Sequence, residues 1–100
     1  MANYTQPQPV RVSSIQPHTT VESRLLSWKK VTTYRLKIEF EYRGTTDPVF
    51  PNKSNIIIRY AQGLTYSVIY EFKDNWLGSG YNRASNFQQQ MLSRIQSNNR

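Results

Sequence analysis

One hundred residues make at most one small domain, so the core that folding can bury is modest. Thirteen Lys+Arg against six Asp+Glu give a net charge of +7, with no cysteine and a single histidine, His18. That excludes disulfides, thiolate metal sites and thiol nucleophiles, and it leaves zinc binding or a histidine relay almost no raw material.

The longest apolar run, Ile56 to Ile58, is far too short for a membrane span. The opening MANYTQPQPV lacks the charged-then-apolar pattern of a secretory signal. A cytoplasmic protein is therefore expected, with a place at the periphery of a membrane-associated assembly left open. Charge is uneven along the chain. Residues 1–30 and 81–100 each carry +3, while 31–80 carry six basic and five acidic residues. Basic ends around a nearly neutral middle suit contact with something acidic.

Residues 1–18 hold Pro7, Pro9 and Pro17 among Gln6, Gln8 and Gln16. Proline lacks the backbone donor that helices and central strands need, so a flexible basic arm is expected over 1–18 and a single domain over 19–100. Val10, Val12 and Ile15 could still lend a short strand to a partner's edge. Thr19-Thr20-Val21-Glu22 has capping-box spacing for a short helix carrying Leu25, Leu26 and Lys29, yet an extended reading through Trp28 fits equally well.

From Tyr34 to Tyr42 the pattern is clear. Tyr34, Leu36, Ile38, Phe40 and Tyr42 alternate with Arg35, Lys37, Glu39, Glu41 and Arg43, giving a strand with one apolar and one charged face. Asp47-Pro48 and Pro51-Asn52 supply turn chemistry. Ile56, Ile58 and Tyr60 then make a second strand, and Leu64, Tyr66, Val68, Tyr70 and Phe72 a third. Gly63 between them can take the positive φ of a hairpin loop. Asp74 to Asn82 reads as a loop hinged at Gly78-Ser79-Gly80. Ser85 or Asn86 can cap a final helix with Phe87, Met91, Leu92 and Ile95 on one face. The expected fold is α+β: a small antiparallel sheet of three or four strands, a C-terminal helix packed on one face, and an extended N-terminal arm.

Catalytic chemistry finds no foothold in this pattern. Glu39 and Glu41 share a strand face with Lys37 and Arg43, which reads as a solvated ladder of opposite charges rather than an acid/base pair. Asp74-Asn75 lacks the dense acidic spacing of a calcium loop, and Gly78-Ser79-Gly80 lacks the lysine of a phosphate loop. No enzyme, cofactor, metal or small-molecule substrate is expected. Two kinds of binding remain. Basic residues with 13 aromatics could hold nucleic acid, and a helix, three strands and a helix is the order of a double-stranded-RNA-binding domain. The stretch before the last helix, however, has Arg83 as its one basic residue where that fold uses a lysine cluster. The other reading is an adaptor whose basic and aromatic residues dock on an acidic protein surface. Its candidate contacts are Arg11, Arg24, Trp28, Lys29, Lys30, Trp76, Tyr81, Arg83 and Arg94.

Thr65-Tyr66 running to Asp74-Asn75-Trp76, followed by Gln90-Met91 and Arg94-Ile95, resembles the small linker polypeptides of cyanobacterial phycobilisomes. Tyr81-Asn82-Arg83 looks like the turn that precedes the helix in that family. The match spans roughly a third of the chain. It has extra residues between Trp76 and the helix, and it lacks the family's glycine pair and closing strand. The resemblance implies a small non-catalytic plug on acidic, disc-shaped antenna proteins, with Trp76, Tyr81, Arg83 and Arg94 facing them. On the adaptor reading, reversing Arg83 and Arg94 to Glu would abolish assembly and leave the fold intact. Deleting residues 2–18 would weaken association without lowering the melting temperature.

Overall fold

A computed structural model describes residues 6–24 and 27–98. Five strands, β1 (Gln8–Val12), β2 (Gln16–Arg24), β3 (Ser27–Glu41), β4 (Ile56–Gln62) and β5 (Thr65–Lys73), precede one helix, α1 (Gly80–Asn98). The fold is α+β, an open antiparallel sheet with the C-terminal helix on one face. The order across the sheet is β1-β3-β5-β4, with β2 pairing the same side of β3 as β1, farther along.

The alternation in β3 sets the core. Leu36, Ile38 and Phe40 lie opposite Tyr70, Val68 and Tyr66 of β5, and that face takes α1 through Ala84, Phe87 and Met91. Phe87 packs 4.6 Å from the Tyr70 ring and 5.9 Å from Phe72. Phe50, from the loop after β3, closes the far end against Phe40 and Tyr66. The opposite face carries the ion pairs that alternation requires, Arg35–Glu71 at 3.0 Å and Lys37–Glu39 at 3.9 Å.

Two expectations change. Residues 8–18 are not a free arm: Gln8 to Val12 form β1, and Pro17 and His18 pair with Tyr34 and Thr33 in β2. Proline is tolerated because both strands lie on the outside of β3, and a bulge falls between Pro9 and Arg11. Between β1 and β2, Ser13 replaces the ladder: its N–H donates to the Lys37 carbonyl, and its Oγ accepts from the Lys37 N–H, each at 2.9 Å. The stretch with capping-box spacing is likewise strand, so the extended alternative through Trp28 is the one adopted. Leu25 and Leu26 lie outside the described residues.

Strand β4 also departs from simple alternation. A bulge between Ile56 and Ile58 leaves Ile56 against the core but turns Ile58 and Tyr60 onto the outer face, opposite Ile69 and Ser67. Arg59 then faces inward, over the Phe50 ring and 2.8 Å from Asp47 Oδ1. The β4–β5 loop is Gly63-Leu64, with Gly63 alone at positive φ (66°), the pattern of a type II′ hairpin.

Helix α1 begins five residues before the expected Ser85, at Gly80. Its start is fixed by side chains of the preceding loop: Asp74 Oδ1 accepts from the Gly80 N–H at 2.7 Å, and Asn75 Oδ1 accepts from Leu77 and Ser79. A Cβ on Gly80 would lie 2.9 Å from Asp74 Cα, so the glycine is a close-packing site and not a hinge. Gly80→Ala is therefore expected to lower stability by about 1–3 kcal/mol from the overpacking, although alanine is the better helix former. A rise in melting temperature would contradict that packing.

Tyr70 is buried, and its hydroxyl donates to the Pro51 carbonyl at 2.9 Å. Burial pushes its pKa above the ordinary 10.0, an effect partly offset by the Arg94 charge. With the folded-state value raised, this stabilisation is complete below pH 10.0 and is lost as pH rises towards the folded value. Alkaline melts should show that decline, and Tyr70→Phe should flatten it while costing about 1 kcal/mol at neutral pH from the lost hydrogen bond. An unchanged alkaline slope in the variant would remove Tyr70 as its source.

Candidate functional site

Strand β3 meets β5 from Thr33 onward, and the Thr32 carbonyl still accepts from the Asp74 N–H, so residues 27–31 are paired by β2 alone. The result is a two-stranded arm running about 17 Å past the end of β5, and the molecule measures 57 × 25 × 20 Å. Pairing runs unbroken from Gln16 opposite Arg35 to Arg24 opposite Ser27. Threonines and valines hold the ribbon extended: Thr19 and Thr32 share a hydrogen bond at 3.1 Å, and Val31 is buried at the arm's base.

At that base is a cavity of about 170 Å³, walled by Glu22, Lys29, Lys30, Val31 and Thr32 of the arm and by Lys73, Asp74 and Asn75 at the end of β5. The two tryptophans flank this wall in sequence, Trp28 before Lys29 and Trp76 after Asn75, and they are 76% and 85% exposed. Leu77 and Val21 are exposed beside them in sequence and pairing. Neither was picked out from the sequence, because an isolated valine among threonines and a leucine after a tryptophan show nothing until the chain leaves them uncovered.

All six acids have structural partners. Glu39 faces Arg11 and Lys37, Glu41 holds Arg43, Glu71 holds Arg35, Asp47 holds Arg59, Glu22 lies 3.9 Å from Lys73, and Asp74 anchors α1. Glu22 and Asp74 line the same cavity, where Glu22 lies against Lys73 and Asp74 is taken up by the first N–H of α1. Among the described residues, no carboxylate ion-pairs with Lys29 or Lys30, and no group of three His, Cys, Asp or Glu could hold a metal ion. No helix among them is long and apolar enough to cross a membrane.

The nine candidate contacts separate into three groups. Trp28, Lys29, Lys30 and Trp76 gather at the arm and its base, all exposed; Arg24 lies on the same arm, with its side chain outside the described residues. Tyr81 and Arg83 lie nearby but are partly engaged. Tyr81 packs edge-on against Tyr34 at 5.7 Å, while Arg83 donates to the Lys73 carbonyl and to Ser79 Oγ. Tyr81-Asn82-Arg83 is also the first turn of α1 and not a turn before it.

Arg11 and Arg94 belong to the other end of the sheet. Arg11 is paired opposite Glu39, ten residues along β3 from Lys29, or roughly 33 Å of strand. Arg94 donates to the Pro7 carbonyl at 3.3 Å and thereby ties α1 to the segment before β1. Reversal of Arg83 and Arg94 is thus expected to disturb the fold itself, contrary to the expectation from the sequence. Compared with protein-family models, curated proteins and solved structures, the chain matches none.

Proposed function

We propose that this protein is a non-enzymatic structural or adaptor subunit that grips an acidic protein surface with its projecting β-arm. The observation that carries the reading is the exposed Trp28 beside Lys29 and Lys30, which among the described residues have no acidic ion-pair partner, on a ribbon that stands out from the sheet. A large amphipathic ring next to free ammonium groups matches an interface anchor with a charged rim. Protein is favoured over nucleic acid because Glu22, opposite Lys29 and near Lys73, interrupts the cations here, so they form no continuous basic track for a phosphate backbone, whereas the discrete carboxylates of a protein can be met one at a time.

The resemblance to phycobilisome linkers gives the partner its narrowest form, an acidic antenna protein. Trp76 has the exposure that role asks for, whereas Arg83 and Arg94 are occupied within the chain. The test is capture from native lysate by the tagged protein, with and without nuclease, beside the arm variant described in the Discussion. Nuclease-resistant acidic proteins that the arm variant loses support the adaptor. Capture that collapses with nuclease would overturn it in favour of RNA or DNA, and coloured antenna proteins among the captured set would identify the partner class.

A further inference from the structure

Strand β4 pairs with β5 on one side, and among the described residues no strand pairs its other side. Exposed sheet edges are normally blunted by proline, outward lysine or a cover, because their free N–H and C=O groups recruit another strand. The outer strands on the opposite side of the sheet follow that rule, with Pro9, Arg11 and Pro17. Strand β4 is blunted less: its sequence IIIRYAQ has no proline or lysine, its bulge lies at its first residues, and its one charge, Arg59, is tied to Asp47 and the Pro48 carbonyl, which leaves residues 58–62 as a regular edge. Ile58 and Tyr60 stand on the outer face, 50% and 51% exposed, and Ile58 continues an apolar strip from Ile69.

We propose that β4 is a self-association edge, at which two copies of the chain pair their β4 strands antiparallel about a two-fold axis and join their sheets into one. The strand is suited to itself. Centred on Arg59, an antiparallel pairing keeps both outer faces on the same side and sets Ile58 across from the partner's Tyr60, and Tyr60 across from the partner's Ile58. β-branched and aromatic residues are favourable cross-strand neighbours, and a two-fold axis makes each contact twice. The two arginines at the centre are each neutralised by their own Asp47, so the +7 charge of the chain is not concentrated at the junction. An acidic partner would find no free cation here, whereas a second copy finds its own complement. This edge is separate from the arm, and the inference does not rest on the function proposed for it.

Sedimentation equilibrium of the full chain, from micromolar to millimolar concentration, tests the proposal. The mass should rise from 11.8 kDa to twice that value. Ile58→Lys should weaken the dimer by about tenfold or more, and Trp28→Ala should leave it unchanged. Hydrogen exchange on the wild-type chain gives a readout independent of how the lysine variant folds: amides of residues 56–62 should become more protected as concentration rises. A chain that stays monomeric throughout overturns the proposal. So does a dimer indifferent to Ile58→Lys in a folded variant, a dimer lost with Trp28→Ala, or concentration-independent exchange in β4.

Discussion

Deleting residues 2–18 is expected to abolish the cooperative thermal transition or lower its midpoint steeply, the opposite of what a flexible arm would do. The deletion removes β1 and the first turns of the β2 ladder, together with buried Pro7 and Pro9 and the packing of Val12 and Ile15 against the core. It also removes the acceptors for three helix side chains: Gln88 donates to the Ser13 carbonyl, Arg94 to the Pro7 carbonyl and Asn98 to Gln8 Oε1. At about 1 kcal/mol per hydrogen bond and about 1.5–3 kcal/mol per buried large side chain, the loss is comparable to the whole stability of a small domain, about 5–15 kcal/mol. Far-UV circular dichroism melts decide the matter. An unchanged midpoint would mean that β1 adds nothing to the core and that α1 is held by β3 and β5 alone.

The arm should behave in the reverse manner, with a large effect on binding and almost none on folding. The combined variant Trp28→Ala, Lys29→Glu, Lys30→Glu replaces three exposed side chains, so its stability should stay within about 0.5 kcal/mol of wild type. A buried tryptophan anchor is worth about 2–4 kcal/mol at an interface, and reversing two cations against an acidic surface adds repulsion. Affinity for the partner should therefore fall by a factor of about 100 or more. Added salt should weaken wild-type capture as well, since exposed charges are screened beyond a Debye length of about 8 Å at physiological ionic strength. Full retention of the captured proteins by this variant would remove the arm as the binding surface. Reversing Arg83 and Arg94 is a poor substitute for this experiment, because both guanidinium groups bond to backbone carbonyls of the chain and their loss would confuse binding with folding.

Local periodicity made much of the architecture legible. Alternation from Tyr34 to Tyr42 and from Tyr66 to Phe72 assigns two strands and their core faces without any knowledge of partners, since side-chain direction follows from the pleat, whereas Leu64, read as the start of the second, lies exposed in the hairpin loop. Gly63 as the hairpin residue and the apolar face of the last helix are local in the same sense. The start of that helix was not. Its first donors are satisfied by Asp74 and Asn75, six and four residues ahead of the groups they cap, and Gly80 reads as a hinge until Asp74 is seen packed against it. The β4 bulge was equally hidden: one inserted residue exchanges inside for outside, and only the register with β5 reveals it.

The sequence by itself determined that this chain has a small α+β core and an excess of positive charge at its ends. Those properties follow from composition and from short-range pattern. Tertiary structure decided which basic and aromatic residues are engaged within the chain and which stand exposed. Pairing of residues 8–24 along β3 turned a proline-rich tail into sheet edge, carried Trp28, Lys29 and Lys30 outward on an arm, and placed Arg94 where Pro7 could take its hydrogen bond. Whether a cation is free to meet a partner depends on which of the chain's own oxygens come within reach, and that is settled only when distant segments meet.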